Sequence, residues 1–389
     1  MAKGVYIGVN NVARKVKKIY IGVDGVSRKV KRGYIGVGGV ARLFWSGGEL
    51  AYYGTATNLS VARTNSAATT IGNYAVFAGG GEGSNTKMSG LATVDAYNKT
   101  LTRTVPTALS TARTALAGTT VGNFALFGGG SNGTTTAKTY NIVEAYDQDL
   151  TRTTITPLPS KRCGLNAATI GGYALFAGGA TNASGSTAAT AKDVWAYDEE
   201  LTLTTLDSMS DNHSDFASAT VGNYALFAGG ENETPGSADC TNVVDVYDTL
   251  LTHSIATSIN SRSSELSGTS NGAYAIFATS NFDAYDEVLT LTTLNRLSPA
   301  RTLMASTRLE DFAIFTGGMR TTTSEFTDTY AYDQALTLTM PTGLSNCRSL
   351  AAGATIGDFA LFAGGYTTNG STVATDRTIH KSVEAYAIL

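Results

Sequence analysis

One cation recurs at nearly constant spacing through this chain: Arg63, Arg113, Arg162, Arg262, Arg301 and Arg348, with His213 completing the series. A planar guanidinium grips a carboxylate through two parallel hydrogen bonds, so a ring of them suits acidic ligands, acidic sugars included. The same residues serve equally to tie repeated units together by bonding backbone carbonyls, since each belongs to the repeat itself. Other chemistry-bearing residues are sparse. The three histidines are His213, His253 and His380, and none stands at a metal-binding spacing from another His, Cys or carboxylate. They are expected on the surface or in loops, and neither metal nor cofactor is expected. Cys163, Cys240 and Cys347 are odd in number and spread over the repeats, which predicts free thiols. No Gly-x-Ser-x-Gly elbow, phosphate loop or dinucleotide fingerprint occurs in a strand-to-helix setting. Acidic pairs such as Glu199-Glu200 fall in turns, not across the cleft that glycoside hydrolysis requires. The expectation is a protein that is not an enzyme.

What must position the ring is a repeat. The stretch Asn223-Tyr224-Ala225-Leu226-Phe227-Ala228-Gly229-Gly230 recurs seven times, its aromatic falling at Tyr74, Phe124, Tyr173, Tyr224, Tyr274, Phe312 and Phe359. A spacing of about 50 residues marks one small unit copied and stacked. The stretch is apolar on both faces, so it reads as a strand buried between two other sheets. A second element follows, as in Val143-Glu144-Ala145-Tyr146-Asp147, and then a Thr-alternating strand such as Leu150-Thr151-Arg152-Thr153 for the outer edge. A run of small residues, such as Thr114-Ala115-Leu116-Ala117-Gly118-Thr119-Thr120, precedes the central stretch and suits the innermost strand. Four strands in each of seven units predict an all-β, seven-bladed β-propeller over residues 49–389. The chain stops after the seventh Val-Glu-Ala-Tyr, so residues 49–54 are predicted to supply the missing outer strand of the last blade.

These repeats resemble the kelch repeat: Gly-Gly after an aliphatic-aromatic strand, Tyr-Asp after the third strand, and Arg opening the next inner strand. Leu or Thr stands where kelch repeats carry Trp after the Tyr-Asp turn. The resemblance implies that the Arg position lines a pocket on the loop-bearing face.

Residues 1–45 form a different repeat with a period of 14, set by Tyr6, Tyr20 and Tyr34. Asn10-Asn11, Asp24-Gly25 and Gly38-Gly39 interrupt apolar runs and predict three two-residue β-hairpins. This arm holds ten Lys or Arg against Asp24 alone, a net of +9; the rest holds 18 basic and 30 acidic residues, a net of −12. A basic arm on an acidic body suggests anchoring to something acidic through Arg14, Lys15, Arg28, Lys29 and Arg42. The basic residues are not interleaved with base-stacking aromatics, so nucleic acid is not the expected partner. The Tyr-Ile-Gly-Val-Asp-Gly-Val type of repeat resembles segments of tail-associated structural proteins of phages and prophages. That likeness implies a virion part made in a bacterial cytoplasm, and the absence of a signal-peptide pattern agrees.

No run of 18 apolar residues reads as a membrane span. Long polar stretches at 81–93, 130–142, 180–193, 231–243, 319–328 and 366–382 should crown one face of the disc, with a notch at blade five. The function expected is a structural protein of a tail, baseplate or fibre, present as a homo-oligomer or in many copies. The arm would anchor it, and the crown would bind host-surface polysaccharide or a neighbouring virion protein. An intracellular protein-interaction module and a carbohydrate-active propeller enzyme are the alternatives.

Overall fold

The computed structural model describes the backbone of residues 6–9, 12–15, 20–23, 26–29, 32–37 and 40–46. It also describes residues 49–389 apart from 85–86, 134–137, 182–188, 235–236, 279, 322–323 and 369–376. The described elements are all strands. They form two compact units: Met1–Ala51 with Ala387–Leu389, and Tyr52–Tyr386. In the first, Tyr6–Val9 pairs with Val12–Lys15, Tyr20–Val23 with Val26–Lys29, and Arg32–Val37 with Val40–Ser46. The innermost pairs are Val9 with Val12, Val23 with Val26 and Val37 with Val40, which is hairpin register around the expected turns.

The second unit is a seven-bladed β-propeller of four-stranded antiparallel sheets. Blade two is typical. Its strands run outward from Ala117–Val121 through Phe124–Gly128 and Val143–Tyr146 to Arg152–Thr154. Ala125, Leu126 and Phe127 are wholly buried, because successive side chains pack on the sheets either side. Beyond that strand, Gly129 holds φ +68°, and a Cβ there would collide with the carbonyl oxygen of Arg162 in the next blade. The Tyr146 hydroxyl donates to Thr107 O at 2.8 Å, pinning the incoming chain to the blade. Asp147 then caps its turn: Oδ1 accepts from Asp149 N at 3.0 Å and Thr151 N at 2.8 Å, and Leu150 sits at φ +63°. Together these bonds explain the recurring Tyr-Asp-x-x-Leu-Thr.

In blade seven the order is Ala352–Ile356, Phe359–Ala363, Val383–Ile388 and Leu50–Ala56. The expected closing strand is present, running two residues further than residue 54. Tyr52 packs edge-on against Tyr386 with ring centroids 5.5 Å apart, and Tyr53 against Phe359 at 4.8 Å.

A ring of backbone bonds encircles the axis where the inner strands begin. Ala115 N donates to Asn65 O, Gly164 to Ala115, Asp215 to Gly164, Glu265 to Asp215, Leu303 to Glu265, Leu350 to Leu303, and Asn65 back to Leu350. Each of these seven residues has φ between +50° and +60°. One residue per blade thus passes a hydrogen bond to the next, and the circle closes.

Candidate functional site

Two residues before six of the seven members of that ring stands the recurrent cation. Arg63 Nη2 lies 2.5 Å from Asp95 Oδ2, Arg113 Nη2 lies 2.7 Å from Glu144 Oε2, and Arg348 pairs with Glu384. All six side chains are fully buried. The guanidinia also donate to carbonyls, as Arg113 does to Ile142 O at 3.0 Å and Phe127 O at 3.2 Å. Each carboxylate has a further duty. Asp95, Glu144, Asp245, Asp283 and Glu384 accept the backbone N–H of Ser60, Ser110, Ser210, Asn260 and Ser345, three residues before the cation's place. The acid is the second residue of the Val-x-Ala-Tyr strand, so one carboxylate ties that strand to the segment entering its own blade. Burying such a pair removes it from any ligand, and Arg63, Arg113 and Arg348 are blade locks.

Blades three and six vary the lock. Trp195 and Tyr330 replace the acid, and Arg162 and Arg301 pair instead with Asp193 at 2.5 Å and Asp328 at 3.0 Å. Those carboxylates stand two residues earlier and are 45% and 44% exposed. Pro159 occupies the position that elsewhere offers the N–H, so in blade three the acid's second partner is missing too. Arg301 stacks on Phe326 with its guanidinium carbon 3.7 Å from the ring centroid. Arg162 and Arg301 with their acids are therefore where the cation ring comes nearest the loop face.

Two expectations need correction. Arg262 is not in the ring: it is exposed, and Ser263 O accepts the Gly230 N–H at 2.8 Å as Arg162 O accepts that of Gly130. Blade five therefore has a serine in register, and Asp283 is held by Asn260 and Thr293 instead. Nor are the histidines surface residues: His253 lies on the strand His253–Ala256, while His213 and His380 lie outside the named strands and are themselves buried or half-buried. His213 is wholly buried, with Nδ1 2.6 Å from Gly229 O and Nε2 3.2 Å from Asp245 Oδ2. His253 Nε2 lies 2.6 Å from the other oxygen of Asp245. His253 stands where Arg103 and Arg152 stand in blades one and two, facing the same acid from the outer strand. Blade four thus replaces both cations of the lock by imidazoles. Burial raises the Asp245 pKa, but the imidazoles and the Ser210 N–H outweigh it and hold the carboxyl below its usual range. Among the described residues no group of three His, Cys, Asp or Glu is placed to hold a metal ion.

Cys163, Cys240 and Cys347 are free thiols. Burial pushes Cys163 up to about 12, so it is not a nucleophile at neutral pH. The cations named for the arm lie in Val12–Lys15, Val26–Lys29 and Val40–Ser46, but their side chains are outside the described residues.

His380 is half-buried, with Nε2 2.6 Å from Thr367 Oγ1. Burial, and then the charge of Arg348, lower its pKa to about 4. In the unfolded chain histidine ionises near 6.5. The unfolded state therefore takes up a proton first, and stability falls as pH drops from about 6.5 to about 4. Allowing for partial exposure, the expected loss is about 1–2 kcal/mol. Thermal unfolding of His380→Asn across this range should show a correspondingly shallower decline than the wild type; parallel curves would refute the assignment.

The loop face carries the expected crown. Two-stranded hairpins rise from blades one, four, six and seven, for example Gly81–Ser84 with Lys87–Gly90 and Glu231–Thr234 with Ser237–Cys240. Neighbouring loops bond to each other: Gly90 N to Asn132 O at 2.9 Å, Thr139 Oγ1 to Thr181 O at 2.7 Å, and Thr368 N to Glu325 Oε1 at 3.0 Å. Blade five has only a short turn between Ala275–Ala278 and Asn281–Tyr285, which leaves the notch.

The chain matches no protein-family model and no curated protein. Among solved structures it is similar to one titled "Structure of YjhT", at 13% identity and a TM-score of 0.54. The match covers 83% of this chain and 99% of that one. This likeness is one of fold, and by fold the chain is a seven-bladed β-propeller.

Proposed function

We propose that this is a non-catalytic, kelch-like structural component of a phage or prophage virion. Its loop crown binds a neighbouring virion protein or host-surface polysaccharide, and its basic arm anchors it. The observation that carries the reading is the crown itself: loops bonded between blades one and two, two and three, and six and seven, on a disc where Arg63, Arg113 and Arg348 are spent on holding blades together. Loops set on a propeller scaffold favour binding over chemistry. The arm's charge of +9 against an acidic body supports docking to an acidic surface.

Mass spectrometry of particles from an induced culture of the source strain tests the reading. Full-length chain is expected in purified particles, and a chain lacking residues 4–45 is expected to be missing from them. If the full-length chain does not copurify with particles, the virion reading fails and the protein-interaction alternative replaces it.

A further inference from the structure

Along the axis, one position of the inner strands carries a hydroxyl in six blades: Thr70, Thr120, Thr169, Thr220, Ser270 and Thr355. In blade six it is Arg308, opposite Ala313. The hydroxyls stitch blades together where present. Thr70 Oγ1 donates to Thr355 O at 2.6 Å, Thr120 to Thr70 O at 2.7 Å, Thr169 to Thr120 O at 2.5 Å, and Thr355 to Arg308 O. The stitching does not continue to Thr220 and Ser270 among the described residues; Ser270 Oγ accepts the Gly272 N–H at 2.9 Å instead. Against those unstitched blades lies an axial cavity of about 230 Å³, lined by Ala167, Ser218, Thr220, Gly268, Ser270 and Arg308.

Arg308 is the sole charged residue on the inner strands, and among the described residues it joins no ion pair. Its Nε donates to Glu310 O at 2.7 Å, which fixes the stem and leaves the two terminal nitrogens available. Gly272, at φ +90° in the adjoining blade's turn, makes room for them: a Cβ there would collide with Nη2. A fixed guanidinium, an otherwise neutral wall and hydroxyls across the cavity match a small ligand with one acid group and several hydroxyls. At about 30 Å³ per water the space holds roughly seven waters, or one monosaccharide-sized molecule.

We propose that this axial pocket binds a small hydroxylated oxyanion, its acid group held by Arg308 and its hydroxyls by Thr220 and Ser270. The pocket lies at the end of the inner strands away from the loop crown, so the proposal stands or falls independently of the virion reading. Charge-assisted bonds from Arg308, which is exposed at the pocket, supply the selectivity for the acid.

Isothermal titration of the full-length chain with glucuronate, glucose 6-phosphate and glucose is the test. At least one of the two acidic sugars is expected to bind at one site, with glucose not binding; which acid binds tells carboxylate from phosphate. Arg308→Thr installs the residue five other blades carry, so it is expected to fold with an unchanged circular dichroism spectrum. It should weaken the acid's binding roughly tenfold to a hundredfold, the loss of a charge-assisted contact. Arg308→Gln should do the same. Failure of both acids to titrate at millimolar concentration, equal binding of glucose, or an Arg308→Thr variant that binds like the wild type overturns the proposal.

Discussion

Arg113→Met is expected to destabilise the propeller by about 3 kcal/mol, measured by urea or thermal unfolding. Breaking a buried pair from one side costs roughly 3–5 kcal/mol, because a charge is left without its counterion. Glu144 keeps Arg152 at 3.2 Å and the Ser110 N–H at 2.6 Å, which places the cost at the low end. The carbonyls of Ile142 and Phe127 lose donors as well. Arg113→Met with Glu144→Leu should recover most of the loss, since well-packed apolar residues replace buried pairs at little cost. Arg162→Met should cost clearly less, since the partner it abandons, Asp193, reaches water. Equal losses for Arg113→Met and Arg162→Met would contradict the division between buried locks and the two outward-reaching pairs.

The second large effect concerns closure of the disc. A chain lacking residues 1–48 keeps Leu50–Ala56 and is expected to melt within a few degrees of the full chain. A chain lacking residues 1–56 loses the outer strand of blade seven, uncovering the edge of Val383–Ile388 and the rings of Tyr386 and Phe359. Its melting temperature should fall by on the order of 10 °C, with aggregation through the open edge. Coincident melting of the two truncations would show that blade seven does not depend on this strand.

The propeller was legible because its strand pattern is written seven times. Buried strands such as Phe124–Gly128 need apolar residues on both faces, and the Gly-Gly that follows needs a backbone without Cβ. The closing strand was legible by subtraction, one outer strand short at one end and one over at the other. The cation ring was legible as a column but not as a role. Its acids lie some 30 residues away, in a different column, and pairing appears only when the third strand is laid beside the second. Arg262 misled because it sits one residue from the register, which the backbone bond to Ser263 defines. The histidines misled because spacing along the chain says nothing of two rings meeting at Asp245 from different strands. Arg308 had a signal, an Arg in a column of hydroxyls; its meaning depends on an axis that only the closed ring of blades creates.

That closed ring of seven peptide groups has a consequence for the field at its rim. In a helix, peptide dipoles align and leave a positive pole and a negative one. Here each N–H points to the preceding blade's carbonyl around a circle, so the dipoles circulate and their vector sum nearly vanishes. The rim has no pole with which to attract an ion. Whatever potential a passing molecule meets there comes from exposed side chains on the circle, and the charged ones are Asp215 and Glu265 in adjacent blades. The charged side chains nearest the axis thus differ between its two stretches: carboxylates on the circle, and the guanidinium of Arg308 on the inner strands.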